Sequence, residues 1–429
     1  MTFSEIKNKL FSDHALMKNS AVLFAGTMLA SVLNYVFHLV IGKQVSVEIY
    51  GETESLISLI TIISVPAMTL SMVAAKYAAS CSAEGDRNGS REILNYLNKK
   101  VLKYSWPLFL LAVVATPFVG NFLNIKNNFA IILIWIAMLL SFFAAINSGM
   151  LSGWQKFKDI SVAGVCGAAS KLIFGVVLVK FGFALNGIVG SFVLGSLAAY
   201  IVTLFALKFI ITKKPDNEVT HCNHKIDFKS LKRYIMPVFV GNLAITILGN
   251  ADMVLAKHNL DALAAGQYAA LTVVSKIIFF ATGIIASVLF SMSAENSHKG
   301  NSSRHILKTA LILVLVASSG ATLIYFTYPA LILSVLFGSK YQDVAPYLGW
   351  FAIAVTLFSL YNVIFQYLLS IHKTKISYTF LAVAIFMLVM IALYGKSIGA
   401  ILMIVIISQI VAIISGIFFL LDKKEKKNV

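Results

Sequence analysis

Apolar residues in this chain gather into long unbroken runs, with polar residues confined to the short stretches between them. Twelve such runs stand out, at 19–41, 55–77, 101–123, 129–151, 160–180, 184–207, 234–256, 264–290, 306–329, 344–369, 376–394 and 397–421. A helix needs about 20 apolar residues to cross the hydrocarbon core of a bilayer, and each run approaches or exceeds that length. Transmembrane strands would be roughly half as long and would alternate apolar with polar positions, so the pattern excludes a β-barrel. The predicted elements are therefore twelve membrane-spanning helices. The first run is as long as a full span, whereas a signal core is usually about 7–15 residues, so it reads as a permanent helix.

Composition agrees with this reading. The chain of 429 residues is 59% hydrophobic and 12% charged, against roughly 25% charged in soluble domains. So few charges would not cover a water-soluble fold of this size. The three cysteines, Cys81, Cys166 and Cys222, offer no disulfide framework.

The net charge of +17 raises the question of nucleic acid, and its distribution answers it. With the N-terminus placed in the cytosol, the six outer loops hold one basic residue each: Lys43, Lys126, Lys180, Lys257, Lys340 and Lys396. Lys171 and Lys276 lie inside spans, and every other Lys and Arg falls in a cytosolic segment. That is the positive-inside pattern. It places both termini in the cytosol, reads the basic excess as topology and contact with anionic membrane lipids, and leaves no nucleic-acid partner.

The chain also repeats. Sliding it by 214 residues sets Lys18 on Lys232, His38 on Asp252, Val40 on Val254 and Lys43 on Lys257. A short gap brings Gly51 onto Gly266, and an offset near 217 brings Gln155-Lys156-Phe157-Lys158 onto His372-Lys373-Thr374-Lys375. The expected architecture is all-α: a polytopic membrane protein of about twelve helices in two six-helix lobes, 1–211 and 234–429, related by a parallel repeat and joined by a cytosolic linker, 212–233. Parallel repeats of this kind build transporters that bind substrate between the lobes and work by alternating access.

The candidate chemistry lies in charges at membrane depth, which cost roughly 2.5–3.5 kcal/mol each on insertion scales. Lys171 and Lys276 each lie about 12 residues into a span, near mid-depth, one in each half. Facing a central cavity they would attract an anionic group such as a phosphate or diphosphate; packed against a helix carbonyl or Asp252 they would serve structure alone. Asp252 and His38 lie nearer the outer ends of their helices. Asn34, Asn242, Asn362 and Gln366 lie at depth as well, with Asn147, Asn250 and Gln409; such amides serve sugar hydroxyls or interhelical hydrogen bonds. Pro66, Pro107, Pro117, Pro237 and Pro329 mark kinks or helix ends. The small-residue spacings Gly164, Ala168, Gly175 and Gly187, Gly190, Gly195 read as close helix packing.

Other motifs are set aside. There is no G-x-x-x-x-G-K-[ST] and no H-E-x-x-H, so neither an ATP-hydrolysing loop of its own nor a zinc-protease centre is expected. The cluster His221-Cys222-Asn223-His224 has no second ligand pair nearby. No metal and no cofactor is expected. The Asn88-Gly-Ser and Asn301-Ser-Ser patterns fall in segments read as cytosolic.

The order Gly42, Tyr50, Gly51 between the first two helices, and Asp252, Gly266, Tyr268 where the seventh helix meets the eighth, resembles the polysaccharide flippases of the multidrug/oligosaccharidyl-lipid/polysaccharide exporter superfamily. The resemblance covers essentially the whole chain. It implies a non-enzymatic flippase in the bacterial cytoplasmic (inner) membrane, moving an undecaprenyl-diphosphate-linked oligosaccharide to the periplasmic leaflet for O-antigen (lipopolysaccharide) or capsule assembly. The cationic residues at mid-depth would meet the diphosphate, and a polysaccharide polymerase and a chain-length regulator are the implied partners. Peptidoglycan-precursor flippases typically have fourteen helices and cavity arginines; the four arginines here, Arg87, Arg91, Arg233 and Arg304, all fall in cytosolic segments. The alternatives are a cation-coupled multidrug exporter of the same superfamily and a membrane enzyme of polysaccharide assembly, a polymerase or ligase.

Overall fold

The computed structural model describes residues 3–212, 228–298, 304–371 and 373–421. Most of the expected linker with its His221-Cys222-Asn223-His224 cluster, the Asn301 pattern, His372 and the lysine-rich end lie outside the described residues.

The described residues form helices and no strands. In the first half these are α1 (Phe3–Gln44), α2 (Val47–Ile63), α3 (Val65–Ala83), α4 (Arg87–Val114), α5 (Thr116–Phe122), α6 (Asn128–Gly153), α7 (Phe157–Lys180), α8 (Ala184–Ala206) and α9 (Lys208–Ile211). The second half contains α10 (Phe228–Asn259), α11 (Ala262–His298), α12 (Arg304–Thr327), α13 (Pro329–Phe337), a 3-10 helix (Ser339–Tyr347), α14 (Leu348–Ser370), α15 (Ile376–Tyr394) and α16 (Ile398–Leu421). Among the described residues, eleven stretches are long and apolar enough to span a membrane, with α2 and α3 counted as one; the bent pair α4–α5 makes a twelfth.

Prolines set the breaks. Pro66 follows the interruption at Ser64; its ring has no N–H and clashes with the carbonyl four residues back, so the hydrogen-bond ladder stops there. Pro117 enters α5 just after Ala115, where the chain bends by 55°. Pro329 opens α13 at a first-turn position, where its missing N–H costs nothing. Pro107 and Pro237 sit inside α4 and α10.

Two compact units cluster separately. Unit 1 comprises Met1–Ile41, Pro66–Gly120 and Lys126–Ile226; unit 2 comprises Gly42–Val65, Asn121–Ile125 and Asp227–Val429. So α2, early in the sequence, belongs to unit 2. In unit 1, α7 and α8 pack closely because glycines face each other: a Cβ on Gly195 would stand 2.8 Å from the Gly167 carbonyl and 3.0 Å from the Lys171 Cβ. Gly175 lies equally tight against Phe37, whereas Gly164 and Gly190 have room. In unit 2, α11 is the central helix, packed against α2, α10, α12 and α14. Its residues Tyr268, Ala269, Ala270, Leu271 and Val274 are fully buried.

Large apolar side chains cover much of the exterior. Val114 is 78% exposed and Phe118 76%, and exposed Leu, Ile and Phe side chains recur along α4, α12 and α16. In water this surface would aggregate; in acyl chains it is the ordinary outside of a membrane protein. The chain is a multi-pass membrane protein.

Candidate functional site

Unit 2 holds a buried polar cluster drawn from four helices: Glu54 on α2, Asn250 and Asp252 on α10, Tyr268 and Lys276 on α11, and Tyr361 on α14. On α11, Tyr268, Thr272 and Lys276 recur every fourth residue and so lie along one side of the helix. The Tyr268 hydroxyl donates to Asp252 Oδ2 at 2.7 Å. Lys276 Nζ donates to Asn250 Oδ1 at 3.0 Å. Asn250 in turn donates its amide to the Thr246 carbonyl one turn back, at 3.0 Å, which turns its oxygen toward the lysine.

The charges offset one another. Lys276 is half-buried and lies within electrostatic reach of both Asp252 and Glu54. Asp252 and Glu54 are 7% and 6% exposed. An isolated buried ion is costly, and partners of opposite sign with hydrogen bonds reduce that cost. Satisfaction is incomplete: Asp252 Oδ1, Thr272 Oγ1 and the Tyr361 hydroxyl are buried without a hydrogen-bond partner among the described residues. A site with an unused carboxylate oxygen and two unused hydroxyls has donors and acceptors to offer a polar ligand.

In unit 1, Lys171 on α7 is held by aromatic faces. Its Nζ lies 4.6 Å from the ring centres of Phe37 on α1 and Phe192 on α8. An ammonium over an aromatic face is attracted to it electrostatically. His38 sets its ring edge-on to Phe37 at 5.6 Å.

The amides divide. Asn34 donates to the Ala30 carbonyl of its own helix at 2.9 Å. Asn242 is half-buried on α10, Asn362 is buried on α14, and Gln366 is half-buried one turn further on. Asn147 donates to Thr203 Oγ1 at 3.1 Å, an interhelical bond within unit 1.

The Gly–Tyr pattern mostly serves packing. Gly51 on α2 and Gly266 on α11 meet backbone to backbone: a Cβ on Gly51 would stand 2.7 Å from the Gly266 nitrogen, and one on Gly266 would stand 1.9 Å from the Val47 carbonyl. Gly42 accommodates the Phe337 ring, and Tyr50 packs edge-on against Phe337 and Tyr341. Tyr268, with Asp252, joins the pattern to the polar cluster.

Two parts of this arrangement escape a count of apolar runs. Glu52 and Glu54 fall just before the start of the second predicted span, at 55, yet α2 begins at Val47 and buries Glu54. Lys257, expected in an outer loop, lies inside α10 and is 2% exposed, with its Nζ 4.0 Å from Glu52 Oε1. Acidic residues at two-residue spacing just ahead of an apolar run are the signal that would have found the first.

Comparison with known proteins completes the description. The family described as "Polysaccharide biosynthesis protein" matches residues 16–292. An uncharacterized membrane protein of Methanocaldococcus jannaschii is 25% identical over 288 residues, covering 62% of this chain and 56% of that protein, so the match spans little more than half of the relative's length. Among solved structures, an inward-facing multidrug resistance MATE family transporter of the MOP superfamily superposes with a TM-score of 0.70 at 12% identity, covering 92% of this chain and 97% of the other. The lipid II flippase MurJ, in an inward closed conformation, gives 0.69 at 16% identity, covering 93% and 87%. These likenesses establish the fold.

Proposed function

The chain belongs to the polysaccharide biosynthesis protein family, and from that premise we propose that it is a flippase for an undecaprenyl-diphosphate-linked oligosaccharide, working by alternating access in the bacterial cytoplasmic membrane with both termini in the cytosol. The observation that carries this reading is the setting of Lys276 at mid-depth. Its hydrogen bond goes to the amide oxygen of Asn250, while Asp252 and Glu54 lie within electrostatic reach. An ammonium in a low-dielectric setting attracts a diphosphate strongly, because charge–charge interactions there are screened little. Lys276 has two further N–H groups beyond the one used on Asn250. The amides of Asn242, Asn362 and Gln366 suit sugar hydroxyls, and Asn250 holds the Lys276 ammonium in place. The family description, polysaccharide biosynthesis, fits a substrate that carries sugar on a lipid.

Deletion of the gene tests the reading. Loss of a surface polysaccharide, with its lipid-linked unit accumulating on the cytosolic leaflet, is expected; a normal surface glycan in the deletion strain overturns it. A second reading draws on the two buried acids, Asp252 and Glu54: carboxylates at depth also suit a cation-coupled exporter of cationic drugs. That reading requires the deletion strain to become drug-sensitive while its surface glycan stays intact.

A further inference from the structure

Unit 1 carries a cavity of about 300 Å³ that the transport reading leaves unused. Its walls include Arg87, Asn88 and Arg91 from the start of α4, and Lys208, Phe209 and Thr212 from α9 and its end. Three of these side chains are cationic and none is acidic. Arg91 is fixed: its Nε donates to the Ile210 carbonyl at 3.0 Å and its Nη2 to the Ile211 carbonyl at 2.7 Å. That uses two of five guanidinium N–H groups and holds the planar fork in place with three to spare. The backbone of the first α4 turn is ordered by Asp86, which accepts from the Gly89 amide at 2.8 Å.

The setting points to what the cavity takes. Phe205 and Ile201, on the last turns of α8 leading to Lys208, are 60% and 42% exposed and apolar, and Ile211 beyond it is 45% exposed. The Lys208 ammonium lies 4.5 Å over the Phe205 ring, and Lys156 lies 5.2 Å over Phe209. Trp154 packs against Phe209 and anchors its indole N–H on Ser90 Oγ at 3.0 Å. A tryptophan and several basic residues beside exposed apolar surface are the hallmarks of a boundary between acyl chains and headgroups. An Arg fork matches phosphate oxygens two at a time, and the volume lies at the lower end of that of small-ligand sites.

We propose that this cavity binds the phosphate of an anionic membrane phospholipid, with the acyl chains lying along Phe205 and Ile201. The inference stands apart from the transported substrate, since it concerns unit 1 alone and its test reads binding. The full-length protein is exchanged into nanodiscs of phosphatidylcholine with phosphatidylglycerol, and the retained lipid is counted by native mass spectrometry. The wild type is expected to retain phosphatidylglycerol in preference to phosphatidylcholine, and the double variant Arg87→Gln/Lys208→Gln to lose roughly thirtyfold of that preference, at the usual worth of a basic residue near an anionic headgroup. Both side chains are exposed, so thermal unfolding in pure phosphatidylcholine checks that the variant is folded, and Lys208→Arg is expected to keep the preference. Equal retention by wild type and double variant overturns the site. Displacement of the lipid by millimolar inorganic phosphate overturns the lipid source, because a free anion would then suffice.

Discussion

Lys276 is tolerated at depth because its ammonium donates to an oriented amide with two carboxylates in electrostatic reach, and this arrangement makes its substitutions informative. Lys276→Ala is expected to cut transport by roughly tenfold or more, at about 1.5–3 kcal/mol for a charged hydrogen bond, while the protein still inserts; Lys276→Arg is expected to lose less. Surface glycan measured in complemented deletion cells reads both. The tyrosines separate a paired hydroxyl from an unpaired one. Tyr268→Phe removes the hydrogen bond on Asp252 Oδ2 and leaves a buried carboxylate whose other oxygen is already unpaired, so thermal unfolding in detergent is expected to show a loss of about 1–3 kcal/mol. Tyr361→Phe removes a buried hydroxyl with no partner and is expected to be neutral or stabilising. A reversed order would mean that Asp252 does not depend on Tyr268.

Elements meet at glycines, and here too the consequence is measurable. Gly266→Ala sets a methyl 1.9 Å from the Val47 carbonyl, so α2 and α11 must separate. Overpacking of this kind typically costs about 1–3 kcal/mol, occasionally more, and folded yield and unfolding temperature are expected to fall accordingly. Gly164→Ala, with its nearest neighbour 3.9 Å away, serves as the control, expected within about 0.5 kcal/mol of wild type. The same contact marks how far the elements were legible. Sliding one half of the sequence over the other paired Gly51 with Gly266, and these two glycines touch. The spans α6, α7, α8, α12, α14, α15 and α16 follow their apolar runs to within a few residues, because polar residues are few within them. The stretch Val47–Glu54, with Glu48, Glu52 and Glu54, falls outside the run that starts at 55. Thr53 and Glu54 are buried within unit 2, and apolar counting registers lipid-facing surface while remaining blind to polar residues that face protein. Lys257 reads as a loop residue for the same reason, although it is buried inside α10.

For the molecule as a whole, fold and membrane setting follow from quantities the sequence states openly: run length, scarce charge, and basic residues concentrated between alternate spans. The polar cluster was legible only in part. Asp252 and Lys276 stand out as ions within apolar runs, but their pairing through Tyr268 and Asn250 depends on how α10 and α11 rotate against each other, and helical spacing alone leaves that rotation open. Function stands one step further on, because a multidrug resistance MATE transporter and the lipid II flippase MurJ both share the fold; surface glycan against drug sensitivity in the deletion strain is what separates the two readings. The most direct measurement uses purified protein in liposomes with a fluorescent undecaprenyl-diphosphate oligosaccharide, scoring protection of the label from an external quencher. Wild-type protein is expected to move the lipid across faster than empty liposomes, with Lys276→Ala roughly tenfold slower. Wild-type rates equal to those of empty liposomes, or unchanged in Lys276→Ala, would contradict the account.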